Sequence, residues 1–327
     1  MGIVGLSVYA PPGAQTSEEV AARTGIPRQV VEEKFGLRAK RVADGLQTTD
    51  LAVRAAEPLV WQLDARAQGA VVYFGSAHKD YYLWNAAARI QARLGLQNAF
   101  AFELMATSAC APIALRVGRD LLASDPHLHY VLLVGASRES TVVDYGNPRS
   151  RFAFSFADGA AAALLQRGAG HRVLESAFLT DGSFADDVFV PAGGTVHPAS
   201  HDTVERRMHF LDVRDPADLK RRLDPVSLDR FVFVVEEALH RSGHSLSDLD
   251  FLAVLHVKRS MHEQILSALG LEPDQSVYLD TYGHMSAVDP LVALWEGERQ
   301  GRLRPGHLAV ALSAGTGYTW AATAIRW

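Results

Sequence analysis

The segment Phe102-Glu-Leu-Met-Ala-Thr-Ser-Ala-Cys-Ala111 passes from an apolar strand into small residues, and a helical run from Pro112 to Ser124 follows it. Ile113, Leu115, Val117 and Leu121 supply the apolar positions of that helix, and Ser108 and the sole cysteine, Cys110, stand at the junction. A helix start carries backbone N–H groups without intrahelical partners, and its dipole favours developing negative charge. A hydroxyl or thiol held there suits acyl transfer. Small residues at a strand–helix corner are also ordinary packing, so the corner alone leaves both meanings open.

The rest of the chain supplies the context. Its 327 residues, 48% of them apolar, can bury a large core as two domains or two fused halves. A formal charge of -5 with 21% charged residues describes a soluble protein with no electrostatic attraction to nucleic acid or membrane. No long apolar run predicts a membrane span, and the N-terminus lacks the basic flank and apolar core of a signal peptide. One cysteine excludes an intrachain disulfide framework and fits a reducing cytoplasm. None of the 13 histidines lies in a His-Glu-x-x-His motif, and the pairs His127/His129 and His197/His201 have no nearby cysteine or convincing acidic set, so no structural zinc site is expected.

A strand near residues 4–9 stops at Pro11-Pro12-Gly13, and Thr16-Ser17-Glu18-Glu19 has the form of a helix cap. Residues 30–41 are basic, with Lys34, Arg38, Lys40 and Arg41 forming either a solvated face or a phosphate-contacting patch. Thr48 to Pro58 is a helix, Gly69–Gly75 a buried-type strand, and Tyr81, Tyr82 and Trp84 precede a helix ending near Gly95. The second half repeats this order. A helix over Phe231–Arg241, a strand over Phe251–His256 and a helix over Met261–Leu269 come first. Val277–Asp280 then answers Ala101–Leu104, the helix from Pro290 answers that from Pro112, and His307–Ala314 answers His129–Ser137. Strands alternating with amphipathic helices predict an α/β fold of two duplicated halves, residues 1–168 and 171–327, joined at Gly168-Ala-Gly170. A pseudo-twofold between them would bring the Ser108 corner to face Gly283-His284-Met-Ser286. His256, leaving an apolar strand, would enter the same crevice, where open α/β sheets bind ligands. Both histidines are candidate bases or oxyanion donors, and both also fit as satisfied core residues. Gly315-Thr316-Gly317 is no dinucleotide fingerprint, and its glycines let backbone approach a ligand. Residues 185–210 read as a long lid.

The chain resembles thiolase-superfamily condensing enzymes of the 3-oxoacyl-(acyl-carrier-protein) synthase III type over almost its full length. The segments that carry the likeness are Lys34–Arg41, Phe102–Ala111, Leu133–Ser137, Phe156–Ala161, Thr180–Ser183, Leu255-His256, Tyr282–Ala287 and Ala314–Trp320. The resemblance implies a thiolase-like fold layered helix-sheet-helix-sheet-helix. It also implies coenzyme A or phosphopantetheine thioesters as substrates without a tightly bound cofactor, and an acyl carrier protein as partner. It implies a homodimer as well, with His129–Ser137 near the centre of a continuous sheet. Family members use a cysteine, a histidine and an asparagine. Here a gapless count from Phe102 to Leu115 sets Ser108 at the nucleophile position, leaving Cys110 as the alternative two residues on. His256 matches the family histidine and His284 replaces the asparagine. Val30 occupies the region that usually supplies a tryptophan to stack on coenzyme A, leaving Arg38, Lys40 and Arg41 to meet phosphates.

Serine is a weaker nucleophile than thiolate and needs a base, which the resemblance assigns to His256. Backbone N–H groups at Ser108, Gly315, Thr316 and Gly317 are the candidate oxyanion hole. Three roles follow. The first is a specialised condensation on acyl-Ser108 with a malonyl-type thioester. The second is acyl transfer to an alcohol, amine or thiol without decarboxylation. The third is a silent subunit partnering a competent ketosynthase.

Overall fold

The structure, a computed structural model, describes residues 1–61, 63 and 67–327. Among the described residues, nine strands form one mixed sheet: β1 Gly2–Tyr9, β2 Gly69–Gly75, β3 Ala99–Met105, β4 Tyr130–Arg138, β5 Asp158–Gln166, β6 His171–Thr180, β7 Phe251–Val254, β8 Leu308–Gly315 and β9 Thr319–Arg326. Their order is β7-β8-β9-β6-β1-β5-β4-β2-β3. From the join at β1 and β6, each half runs outward in the same way. Two antiparallel pairings come first and a parallel one follows, β1-β5-β4-β2 on one side and β6-β9-β8-β7 on the other. In the sheet the halves are joined by the pairs Gly2↔Arg172 and Ile3↔His171, next to the Gly168-Ala-Gly170 connection between β5 and β6.

Six helices cover this sheet: α1 Thr48–Val60, α2 Ala86–Arg93, α3 Cys110–Ser124, α4 Pro216–Arg241, α5 Arg259–Ala268 and α6 Asp289–Arg299. The two-residue period of a strand sends alternate side chains to opposite faces. Val71 and Tyr73 of β2 and Leu132 and Val134 of β4 pack against Leu51, Ala55 and Leu59 of α1 and Ile90 of α2. Ala70, Val72 and Phe74 face the other way, joining Ala253 of β7 and Ala309 of β8 around α3 (Ala114, Leu115) and α6 (Leu291, Val292). Leu252, Val254, Val310 and Leu312 pack beneath Val235 and Leu239 of α4 and Ile265 of α5. The layers therefore run helix, sheet, helix, sheet, helix, with α3 and α6 at the centre and gripped by both halves. Each fully buried Val or Leu contributes roughly 1.5–3 kcal/mol, so the middle layer fixes the two helices whose starts form the site. No helix among the described residues is long and apolar enough to cross a membrane.

Several expectations need correction. Val277–Asp280 is not a strand: only an isolated bridge, Leu252↔Ser276, stands where the second half would have its counterpart of β3. Asp158, the first residue of β5, is buried and accepts from Ala43 N–H and from Ser140. The helix ending at Arg241 begins much earlier, at Pro216. β4 is paired on both sides, by β2 and β5, and β3 is the edge strand on that side of the sheet.

Candidate active site

Both central helices start the same way. After β3 the chain turns through Ala106 and through Thr107, whose φ is +49°, enters a short 3-10 turn over Thr107–Ala109, and becomes α3 at Cys110. In the second half Met285 and Ser286, with φ +55°, lead through a 3-10 turn over Ser286–Val288 into α6 at Asp289. One shift in numbering thus pairs Thr107 with Ser286, Ala109 with Val288 and Cys110 with Asp289. Positive φ costs energy for a non-glycine residue and persists where the surroundings enforce it, commonly at functional sites. The helix begins two residues before Pro112, so Cys110 is its first residue and Ser108 lies in the bend before it.

The bends meet across the interface between the halves. Ser108 Oγ lies 3.0 Å from His284 Nε2, and His284 Nδ1 lies 2.6 Å from Asp289 Oδ2. A carboxylate at Nδ1 fixes the ring proton there, so Nε2 presents its lone pair and the Ser108 hydroxyl donates to it. Asp289 is fully buried and accepts two further bonds, from Met285 N–H to Oδ1 and from His256 N–H to Oδ2, both at 2.8 Å. Its place in the first turn of α6 also favours its negative charge. Burial works against a charge on His284, yet the Asp289 carboxylate and its hydrogen bond outweigh this and raise the imidazole pKa above its ordinary value. The constellation is a serine–histidine–aspartate relay, geometry suited to generating a nucleophilic hydroxyl.

The matching position in the first half carries a thiol instead. Cys110 Sγ accepts from Ala106 N–H at 3.0 Å and donates to Leu104 C=O at 3.3 Å. It is buried, and burial pushes its pKa up to about 11. The thiol therefore stays protonated and turned into the packing, whereas Ser108 is only half-buried.

The remaining expected residues divide. His256 is buried beside the relay, but its ring lies on Gly36 C=O, with Nε2 3.3 Å from that oxygen. It meets Asp289 through its backbone N–H, and the ring within hydrogen-bond distance of Ser108 is that of His284 rather than His256. Burial brings the His256 pKa down to about 4, with partial compensation from Asp289, and the ring is neutral at neutral pH. Lys40 cannot meet a phosphate: it is fully buried and its ammonium donates to Phe154 C=O and Phe156 C=O. Arg38 is exposed and holds Asp280 through two hydrogen bonds. Arg41 lies over the Tyr282 ring with its Nε buried and unpartnered. The loop after β8 abuts the Ser108 corner. A Cβ on Gly315 would lie 2.2 Å from Thr107 Oγ1, and Ser313 Oγ donates to Ser108 C=O at 2.5 Å. Thr107 Oγ1 approaches Thr316 C=O at 3.4 Å, while Gly317 has open space around its α-carbon.

Asp289 was missed from the sequence. A usable signal was present, an acidic residue directly before Pro290 at a helix start, five residues after His284.

Known proteins give the same answer for the chain as a whole. Residues 102–182 match the family model for 3-oxoacyl-(acyl-carrier-protein) synthase III, and residues 239–327 match the model of that family's C-terminal part. Beta-ketoacyl-(acyl-carrier-protein) synthase III of Symbiobacterium thermophilum is 28% identical over 334 residues, covering 100% of this chain and 98% of that protein. The protein of the same name from Caldanaerobacter subterraneus subsp. tengcongensis is 26% identical over 333 residues, covering 100% and 97%. The crystal structure of beta-ketoacyl-(acyl carrier protein) synthase III from Thermus thermophilus superposes with a TM-score of 0.84 at 25% identity, covering 100% and 99%. The matched segments, the full-length relatives and the five-layer architecture agree: the chain belongs to the 3-oxoacyl-(acyl-carrier-protein) synthase III family and shares its thiolase-like fold.

Proposed function

We propose that the protein is an acyltransferase that carries its acyl group on Ser108. The observation that supports it is the hydrogen-bonded chain Ser108–His284–Asp289, at 3.0 and 2.6 Å. His284 Nε2 takes the hydroxyl proton as Ser108 Oγ attacks the thioester carbonyl. The carbon–sulfur bond then breaks, and the departing thiol leaves with that proton. Asp289 stabilises the imidazolium in between. An acceptor X–H next gives its proton to His284 and attacks the ester, and Ser108 leaves reprotonated. Backbone at Ser108 and over Gly315–Gly317 is our candidate for holding the oxyanion, a role that the close approach of Gly315 supports. The donor would be a coenzyme A or carrier-protein thioester, with the half-buried Arg41 guanidinium over Tyr282 as the remaining candidate phosphate contact.

Transfer to an alcohol, amine or thiol is favoured over condensation for a physical reason. Decarboxylating a malonyl thioester requires donors aimed at its carbonyl oxygen, and an asparagine amide supplies one. Asp289 keeps the proton of neutral His284 on Nδ1, leaving a lone pair on the side that faces Ser108. That arrangement withdraws protons from an acceptor. Family membership keeps condensation as the second reading, with neutral His256 available beside the relay. A silent subunit fits poorly with a half-buried serine already bonded to a base.

The experiment is incubation with a panel of short acyl thioesters, read by intact and then peptide mass. An adduct on Ser108 that is lost in Ser108→Ala and kept in Cys110→Ala is expected. An adduct that maps to Cys110, or none with any thioester, sinks the proposal. Carbon dioxide released from malonyl thioesters only when the acyl donor is present would move the assignment to condensation.

A further inference from the structure

We propose that Lys40 is a positioning residue for His284, clamping the Phe154–Phe156 segment against which that histidine is held; the proposal rests on His284 being the base for Ser108. The buried ammonium donates to Phe154 C=O at 3.0 Å and to Phe156 C=O at 2.7 Å, bracketing Ser155. Ser155 C=O accepts from His284 N–H at 2.8 Å, and Ala157 N–H donates to His284 C=O at 2.9 Å. The Phe156 ring lies 5.1 Å from the imidazole, centroid to centroid. The backbone of His284 is thus bonded on both sides to the stretch that Lys40 pins, and its ring rests on a residue inside that stretch.

The other side of the clamp is equally close. Arg38 N–H and Ala39 N–H donate to Asp280 C=O, and Arg41 N–H donates to Tyr282 C=O, so the short strand Ala39–Arg41 that bears Lys40 is bonded to the segment leading into His284. Gly283 between them has φ +76°, and a Cβ there would lie 2.7 Å from both Lys40 Cβ and Ser155 C=O. Only glycine lets these three backbones converge. Lys40 is therefore the side chain that ties together the two segments whose meeting fixes where Nε2 points.

The clamp holds in either protonation state. Burial brings the Lys40 pKa down to about 7, with Asp158 opposing that shift and Arg23 adding to it, and the Tyr145 ring stacks beside it at 5.2 Å. The neutral amine keeps two N–H groups, one for each carbonyl. Displacing a catalytic group by about 1 Å can cost on the order of 10²-fold in rate, so the loss should fall on the chemical step and leave thioester binding alone.

The test is single-turnover loading of Ser108 against pH in the wild type and in Lys40→Arg, Lys40→Gln and Lys40→Met, with the Tm of each. Lys40→Met should load about 30- to 100-fold more slowly at saturating thioester, with KM within about twofold. Its acid limb should move down towards that of free histidine, because a displaced ring loses Asp289. Lys40→Arg, which keeps the donors, should recover most of the rate, with Lys40→Gln between them. A series with equal acid limbs and rates that follow Tm alone would overturn the proposal. If Lys40→Met does not fold, the Arg and Gln variants decide it, since equal limbs in those two count against the clamp. Failure of the wild type to load Ser108 would instead overturn the underlying site reading.

Discussion

At the residue scale, reactivity turns on which side chains water and hydrogen bonds can reach. Ser108 and Cys110 lie two positions apart in one bend, yet only Ser108 contacts a base. Removing His284 leaves the hydroxyl with no acceptor of comparable strength. His284→Ala should slow Ser108 loading by about 10²–10⁴-fold, the usual range for a positioned general base. His256→Ala keeps the backbone N–H that bonds Asp289 and should cost at most about tenfold. Stopped-flow or quenched mass spectrometry on both variants checks the ranking, and a larger loss in His256→Ala would reverse it. The pH dependence has a defined sign. The protonated imidazole cannot take the serine proton, and its pKa is raised. Loading should therefore fall on acidification through a midpoint above the free-histidine value of about 6.5, and a midpoint well below that value would contradict the Asp289 contact.

At the element scale, the starts of α3 and α6 are one design used twice with different side chains. Cys110 and Asp289 both cap the N–H four residues before them, at 3.0 and 2.8 Å. In the first half an uncharged thiol is enough. In the second a carboxylate also orients the imidazole and gains from the helix dipole. Asp289→Asn would keep the shape but replace one acceptor oxygen by a donor amide. The imidazole then turns or takes its proton on Nε2, and loading should drop by about 10²–10⁴-fold, with Tm lowered because the amide NH2 must face one of the buried N–H donors. A rate within tenfold of the wild type would remove Asp289 from the mechanism. The helices also need to approach the sheet closely. A Cβ on Gly297 in α6 would lie 2.4 Å from the buried Phe251 ring. Gly297→Ala should destabilise by about 1–3 kcal/mol, measured as a lower midpoint in chemical unfolding, and an unchanged midpoint would mean the ring has room to yield.

At the scale of the whole molecule, β3 is left with an open edge, and it carries Phe100 at 48% and Met105 at 58% exposure. An open edge with apolar side chains is a template for pairing with another strand. We expect a homodimer in which two copies of β3 meet, directly after which each chain reaches its Ser108. Light scattering at tens of micromolar should give twice the chain mass, and Phe100→Lys should shift it towards one. A wild-type monomer would rule this out. The division into residues 1–168 and 171–327 remains our proposal, supported by the mirrored strand order on either side of the β1–β6 join.

The sequence by itself determined the α/β layering, because the two-residue and 3.6-residue periods of apolar side chains are local properties of each segment. It also determined that Ser108 lies in a strand–helix bend. Only the tertiary structure decided which histidine meets that serine. The Ser108–His284 bond spans 176 residues of chain, and the sequence directs both His256 and His284 into the same crevice. Lys40 was illegible for the same reason. A lysine in a basic run reads as solvated, and the carbonyls that hold it lie 114 and 116 residues away. Val277–Asp280 has the composition of a strand, but a ladder needs a neighbour in register, and β7 offers that stretch no more than the bridge at Ser276. Local pattern fixes which side chains are buried as a class; the partners of a polar side chain are fixed only when distant segments pack.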